Sequence, residues 1–138
     1  MTIGLKLGSI TDEVGGQDFF HSFFSTVSYH LETNGWGSRF PFLLNKLYQG
    51  QLEGEDAYLA LGELEIISSE LKKHSPDTVI WDIENLKARP PWGDAISSEI
   101  TDLSNYFVTS TGRDLIGVLK ECLEELRDKG GLLEIVSI

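Results

Sequence analysis

Apolar and polar positions alternate at the start of the chain, where Ile3, Leu5 and Leu7 are separated by Gly4 and Lys6. A period of two predicts a strand with one buried face. Residues 11–16 (Thr-Asp-Glu-Val-Gly-Gly) break the pattern and read as a loop. From Gln17 or Asp18 the period changes to that of a helix, with Phe19, Phe20, Phe23, Phe24, Val27 and Leu31 forming a stripe that Asn34-Gly35 closes. A second helix is predicted after Ser38, with Phe40 or Pro41 in its first turn and Phe42, Leu43, Leu44, Leu47 and Tyr48 inside it, ended by Gly50. A third runs from about Glu55 to Lys73 on Ala57, Leu61, Leu64, Ile67 and Leu71, with acids early and Lys72, Lys73 and His74 late, as the helix dipole favours.

The turn Ser75-Pro76-Asp77 leads to Thr78–Ile83, whose β-branched and aromatic residues predict a second strand with Val79, Trp81 and Ile83 on one face. Pro90-Pro91 makes 87–98 the longest loop, because consecutive prolines remove donors and fix φ. A weaker strand is expected over Asn105–Thr109. The last helix carries Leu115, Ile116, Leu119, Cys122, Leu123 and Leu126, is capped by Ser110 or Thr111, and stops at Gly130-Gly131 before a final strand over 132–138. This order is neither a regular βαβ alternation nor a bundle. It predicts an α+β fold in one domain, residues 1–138: a small, mainly antiparallel or mixed sheet of about three to four strands packed with about four helices.

Charge narrows the function. Acidic residues outnumber basic ones 22 to 11, giving a formal charge of −11 that repels nucleic acid and anionic lipid and attracts a basic partner. The single cysteine, Cys122, at an apolar helical position, reads as a buried small side chain in a reducing compartment. The amino terminus lacks the make-up of a signal peptide and no apolar run reaches membrane length, so a cytosolic location is expected.

No constellation for catalysis emerges. His21, His30 and His74 lack metal-ligand spacing, and no glycine-rich phosphate loop exists, so neither metal nor cofactor is expected. Ser110-Thr111-Gly112-Arg113 could offer amides and a guanidinium to an anion, but a plain helix cap is the simpler use. Asp82 with Glu84, and Glu99 with Asp102, are acid pairs of the kind that any acidic surface carries. Asp82 stands out by following Trp81 just ahead of the long loop. Trp36 and Trp92 sit in loops where each is either a lid on the core or an anchor for a partner, and Pro90-Pro91 presents Trp92 rigidly.

Four strings carry a resemblance: Asn34-Gly-Trp-Gly-Ser-Arg-Phe-Pro41, Val79-Ile-Trp-Asp-Ile83, Pro90-Pro-Trp-Gly-Asp94 and Ile100-Thr-Asp-Leu-Ser-Asn-Tyr-Phe-Val-Thr-Ser-Thr-Gly-Arg-Asp114. Together they resemble the immunity protein 70 family of bacterial polymorphic toxin systems over nearly the whole chain. The resemblance implies a cytosolic antitoxin that binds a cognate toxin, with no catalysis, and the charge suits a basic toxin such as a nuclease. The motif residues are Trp36, Gly37, Arg39, Trp81, Asp82, Pro91, Trp92, Gly93, Thr111, Gly112 and Arg113, which serve either fold or contact. Contact with the partner is expected at Trp92, Asp94, Glu99 and Asp102, with Asp82 and Glu84, on a monomer. Two competing readings are a small hydrolase or transferase using Asp82, Arg113 and a histidine in one cleft, and a self-associating scaffold.

Overall fold

A computed structural model describes all residues from Met1 to Ile138. Strands β1 (Thr2–Leu7) and β2 (Ile10–Gly16) form an antiparallel hairpin, and helix α1 (Gln17–Leu31) follows at once. A short π-helical segment (Phe42–Leu47), strand β3 (Gln51–Glu53) and helix α2 (Ala57–Leu71) come next. Helix α3 (Leu115–Lys129) and strand β4 (Leu132–Ser137) end the chain. The sheet order is β2-β1-β4-β3, antiparallel throughout, so the two chain termini meet in the central strands.

Register explains the burial. Leu5 opposes Ile135, Leu7 opposes Leu133 and Leu52 opposes Leu133, which places these apolar side chains on one face. The other face carries Lys6, Thr11, Glu13, Gln51 and Glu53, all exposed. Leucine is the commonest residue of the core beneath the apolar face, with a cluster of aromatics from α1 and Phe107 packed within it. Phe23 meets Phe24 and Phe107 edge-on, each with ring centroids 5.2 Å apart, the geometry that the ring quadrupole favours.

The α+β class and the four-stranded, largely helix-covered sheet agree with the sequence pattern, and four local readings are corrected. Residues 11–16 are strand β2, not loop: Leu7 and Ile10 are joined by Gly8-Ser9, with Gly8 at φ 62°, the glycine-first turn of a tight hairpin. The alternation is broken because Asp12 stands opposite Leu5 on the apolar face and the register shifts at Ile3/Gly4. Residues 78–83 are not a strand of the sheet, and 105–109 reduces to a single bridge between Val108 and Asp114. The cap of α3 is Asp114, whose carboxylate accepts from the Gly117 amide at 3.3 Å, not Ser110 or Thr111. Those residues lie in the turn that the bridge closes, with the Thr109 amide donating to the Arg113 carbonyl at 2.7 Å.

The predicted second helix forms as the π-helical segment. Its first amides, Phe42 and Leu43, donate to the Glu63 carboxylate of α2 at 3.2 and 2.9 Å. Burial raises the Glu63 pKa, partly offset by these two bonds. Truncating Phe23 to alanine removes a fully buried ring from the centre of this core. The expected loss is about 3–5 kcal/mol, read as a lower urea midpoint with an unchanged denaturant slope.

Candidate partner-binding surface

Helix α1 faces two neighbours. Phe20, Phe23, Phe24, Val27 and Leu31 enter the core, while Ser22, Ser25, Thr26 and His30 carry the chain segment 78–83. The Ser22 and Thr26 hydroxyls donate to the Ile80 carbonyl at 2.7 and 3.1 Å, and the Ile80 amide donates back to Thr26 Oγ1 at 3.1 Å. The Ile83 amide donates to Ser25 Oγ at 3.2 Å, and His30 Nε2–H donates to the Thr78 carbonyl at 2.7 Å. The Thr78 carbonyl, both backbone polar groups of Ile80 and the Ile83 amide are thus satisfied by helix side chains in place of a neighbouring strand.

Fixing Ile80 also fixes Trp81 and Asp82. His21 Nε2 lies 3.2 Å from Asp82 Oδ1 and its Nδ1 lies 2.6 Å from the Tyr48 hydroxyl, while Trp36 stacks on the imidazole with centroids 6.3 Å apart. An ionised carboxylate only accepts, so Nε2 donates to Asp82, and the ring bridges that carboxylate to the Tyr48 hydroxyl through Nδ1. The Glu84 amide, and after it His21, hold the Asp82 carboxyl below its ordinary range. Burial raises the Tyr48 pKa, with Glu84 and Asp82 adding to it. Asp82 and a histidine therefore do meet. Arg113 does not join them: its guanidinium pairs with Glu121 and lies 3.7 Å from Asp12.

The Asn34–Pro41 motif is a scaffold. The buried Glu32 carboxylate accepts the amides of Gly37, Arg39 and Phe40 at 2.9, 3.0 and 2.9 Å. Gly37 sits at φ 76° with the Asn45 amide where a Cβ would be, so only glycine fits. Trp36 donates to the Leu44 carbonyl at 3.2 Å, and Arg39 grips the Glu70 carboxylate with both terminal nitrogens.

Further along, Trp92 is pinned and still 38% exposed. Its Nε1–H donates to the Tyr106 hydroxyl at 2.9 Å and its ring stands edge-on to Trp81 at 5.4 Å. Asp94 is almost wholly exposed, 3.8 Å from Arg89, and Glu99 and Glu84 are exposed too. Asp102 differs. Burial raises its pKa, but the Ser104 hydroxyl and amide, Thr101 and Asn105 more than offset this, and its pKa is lowered. It holds its own turn.

An apolar groove of about 480 Å³ lies beside Trp92, lined by Val14 and Phe19, by Ala95, Ile96 and Ile100, and by Tyr106 and Val108. Sequence reasoning missed Val14, Phe19 and Val108 here, because residues from β2, α1 and two loops meet only in the folded chain. Elsewhere, burial, and then the nearby Asp12 carboxylate, push the Cys122 thiol up to about 12, which leaves it unreactive at neutral pH. No helix is long and apolar enough to cross a membrane.

Together these features define a class of protein: a small α+β domain with an antiparallel open sheet, whose irregular loops are pinned to a helix and present acids and an apolar groove. The family model for immunity protein 70 matches residues 5–135, and the chain belongs to that family. No curated protein and no solved structure matches it.

Two measurements test the architecture of this surface. Thr26→Val strands the Ile80 amide, at a cost of about 1–3 kcal/mol, and is expected to abolish its protection from hydrogen exchange while protection in α3 persists. The second concerns His74, whose ring centroid lies 4.5 Å from that of His30 and whose charge also meets Glu70 and Lys73. Burial, then His30, lowers its pKa from 6.5, so the unfolded chain takes up the proton first on acidification. Its contribution to stability is complete above pH 6.5 and declines as pH falls below that value. In His74→Gln, the fall in denaturation free energy between about pH 7 and pH 5 is expected to be shallower than in the parent.

Proposed function

We propose that this chain protects its cell by binding and neutralising a cognate toxin of a polymorphic or contact-dependent system, in the cytoplasm and as a monomer. Membership of the immunity protein 70 family supports the reading. The observation that carries it is the layer of loops from 79 to 110, rigidly attached to α1 yet left with exposed acids and a part-exposed tryptophan. Such a surface is pre-ordered, so little conformational entropy is lost on contact. Its charge favours a basic partner, of which a nuclease is one example.

Within that layer Trp92, Asp94 and Glu99 are the proposed contacts, with Asp82, Glu84 and Asp102 at its margin. No covalent chemistry is required of the chain, since occupying the toxin's active site or substrate surface suffices for inhibition. A hydrolase or transferase built on Asp82, a histidine and Arg113 is disfavoured because the guanidinium is engaged with Glu121 and Asp12.

The test is association of the purified chain with the toxin domain encoded by the adjacent gene. A one-to-one complex is expected at low salt, with an association rate that falls about tenfold or more as salt is raised through the physiological range. Absence of any complex at low salt removes the mechanism.

A further inference from the structure

We propose, building on the immunity reading, that the groove beside Trp92 is a socket for one apolar side chain of the toxin, carried on a segment with lysine or arginine on either side of it.

The lining sets the first half of the ligand's chemistry. Val14 is fully buried, and Phe19 packs on Phe107 with centroids 5.9 Å apart, so one wall belongs to the core. Of the other lining residues, Ala95 and Ile96 belong to the turn that Trp92 starts, Ile100 closes the next turn on the Ser97 carbonyl, and Trp92 is itself held by Tyr106 and Trp81. Folding leaves Val108 44% and Trp92 38% exposed at this groove. Covering such surface stabilises a complex by roughly 25 cal/mol per Å² of apolar area removed from water. Because the walls are anchored, an incoming side chain meets a formed cavity.

The rim sets the second half. Three exposed acids adjoin the lining residues in sequence, Asp18 beside Phe19, Asp94 beside Ala95 and Glu99 beside Ile100, and the Glu13 carboxylate accepts from the hydroxyl of Ser110, which also lines the groove. Of the nearby bases, Arg113 is engaged by Glu121 and Asp12, and Arg89, 3.8 Å from Asp94, offsets that one acid, so the rim keeps a negative excess through Asp18 and Glu99. An anionic ligand is therefore repelled, and a neutral apolar molecule leaves the rim without partners. A second copy of the chain, itself at −11, brings like charge to the same rim. An apolar anchor between cations satisfies both wall and rim. Asp82 and Asp102 are outside this chemistry, since each holds its own turn.

Binding of the purified toxin domain from the adjacent gene is to be compared for the parent, Val108→Arg, Ala95→Arg, the rim pair Asp94→Lys with Glu99→Lys, and Glu65→Arg on the exposed side of α2 as a distant charge control. Val108 and Ala95 are exposed, so neither arginine opens a hole in the core, and circular dichroism and melting check the fold of each. The groove arginines are expected to weaken binding about a hundredfold or more, chiefly through faster dissociation. The rim pair is expected to slow association about tenfold and flatten its salt dependence, and Glu65→Arg to stay within about twofold of the parent.

If the parent binds the toxin and both folded groove variants bind equally well, the socket is refuted and the immunity reading stands. If the parent itself does not bind, both fall. Sedimentation that finds a dimer of the parent, lost in Val108→Arg, assigns the groove to a second copy and overturns the proposal.

Discussion

Helix α1 has to satisfy an apolar core and a polar chain segment at the same time, and the rest of the molecule is arranged around that division. Its phenylalanines fix the core, with Phe23 set edge-on to Phe24 and Phe107. On another side of the helix, Ser22, Ser25, Thr26 and His30 supply hydrogen bonds to the backbone of 78–83. Short hydroxyl side chains suit this work because they reach a neighbouring backbone without holding it away. The segment is therefore held close to the helix, and Trp81 and Asp82 take their positions from it.

From this attachment the aromatic residues extend outward in a chain. Trp81 stands against Trp92, and Trp92 donates to Tyr106, which packs on Phe107 in the core at 5.0 Å. A loop that contains two consecutive prolines and no regular structure is thereby given a fixed place. That is the property a recognition surface needs, since order established during folding is not lost again on binding.

The acidic excess has two uses. Glu32, Glu63, Asp102 and Asp114 accept backbone amides and close turns or helix starts, tasks that a carboxylate performs well with its two oxygens. Others, including Glu99 and Glu84, point into solvent with their charge available, and Asp94 does so beside Arg89. Net charge alone does not separate the two groups. The distinction matters for function because only the second group contributes an external field that a basic toxin would meet.

Periodicity alone was enough to locate β1, β4 and the three α-helices, and Gly130-Gly131 marked the end of α3, because these signals are local. Strand β2 was hidden by Asp12 and Glu13, although Gly8-Ser9 between Leu7 and Ile10 carried the hairpin signal. Strand β3, with three residues, is too short to show a period. The β-rich composition of 78–83 misled: Thr78 ends a short 3-10 turn (Pro76–Thr78), the chain bends at Trp81, and the hydrogen bonds of the segment go to the side of a helix, a choice on which propensity is silent. Individual residues of the candidate surface, Trp92, Asp94 and Glu99, were legible as exposed chemistry in a loop. Their grouping was not: the His21–Asp82 pair spans 61 positions and the groove joins β2, α1 and two loops. Sequence determines what each side chain can offer, and only the packing of distant segments decides which of those offers face one another.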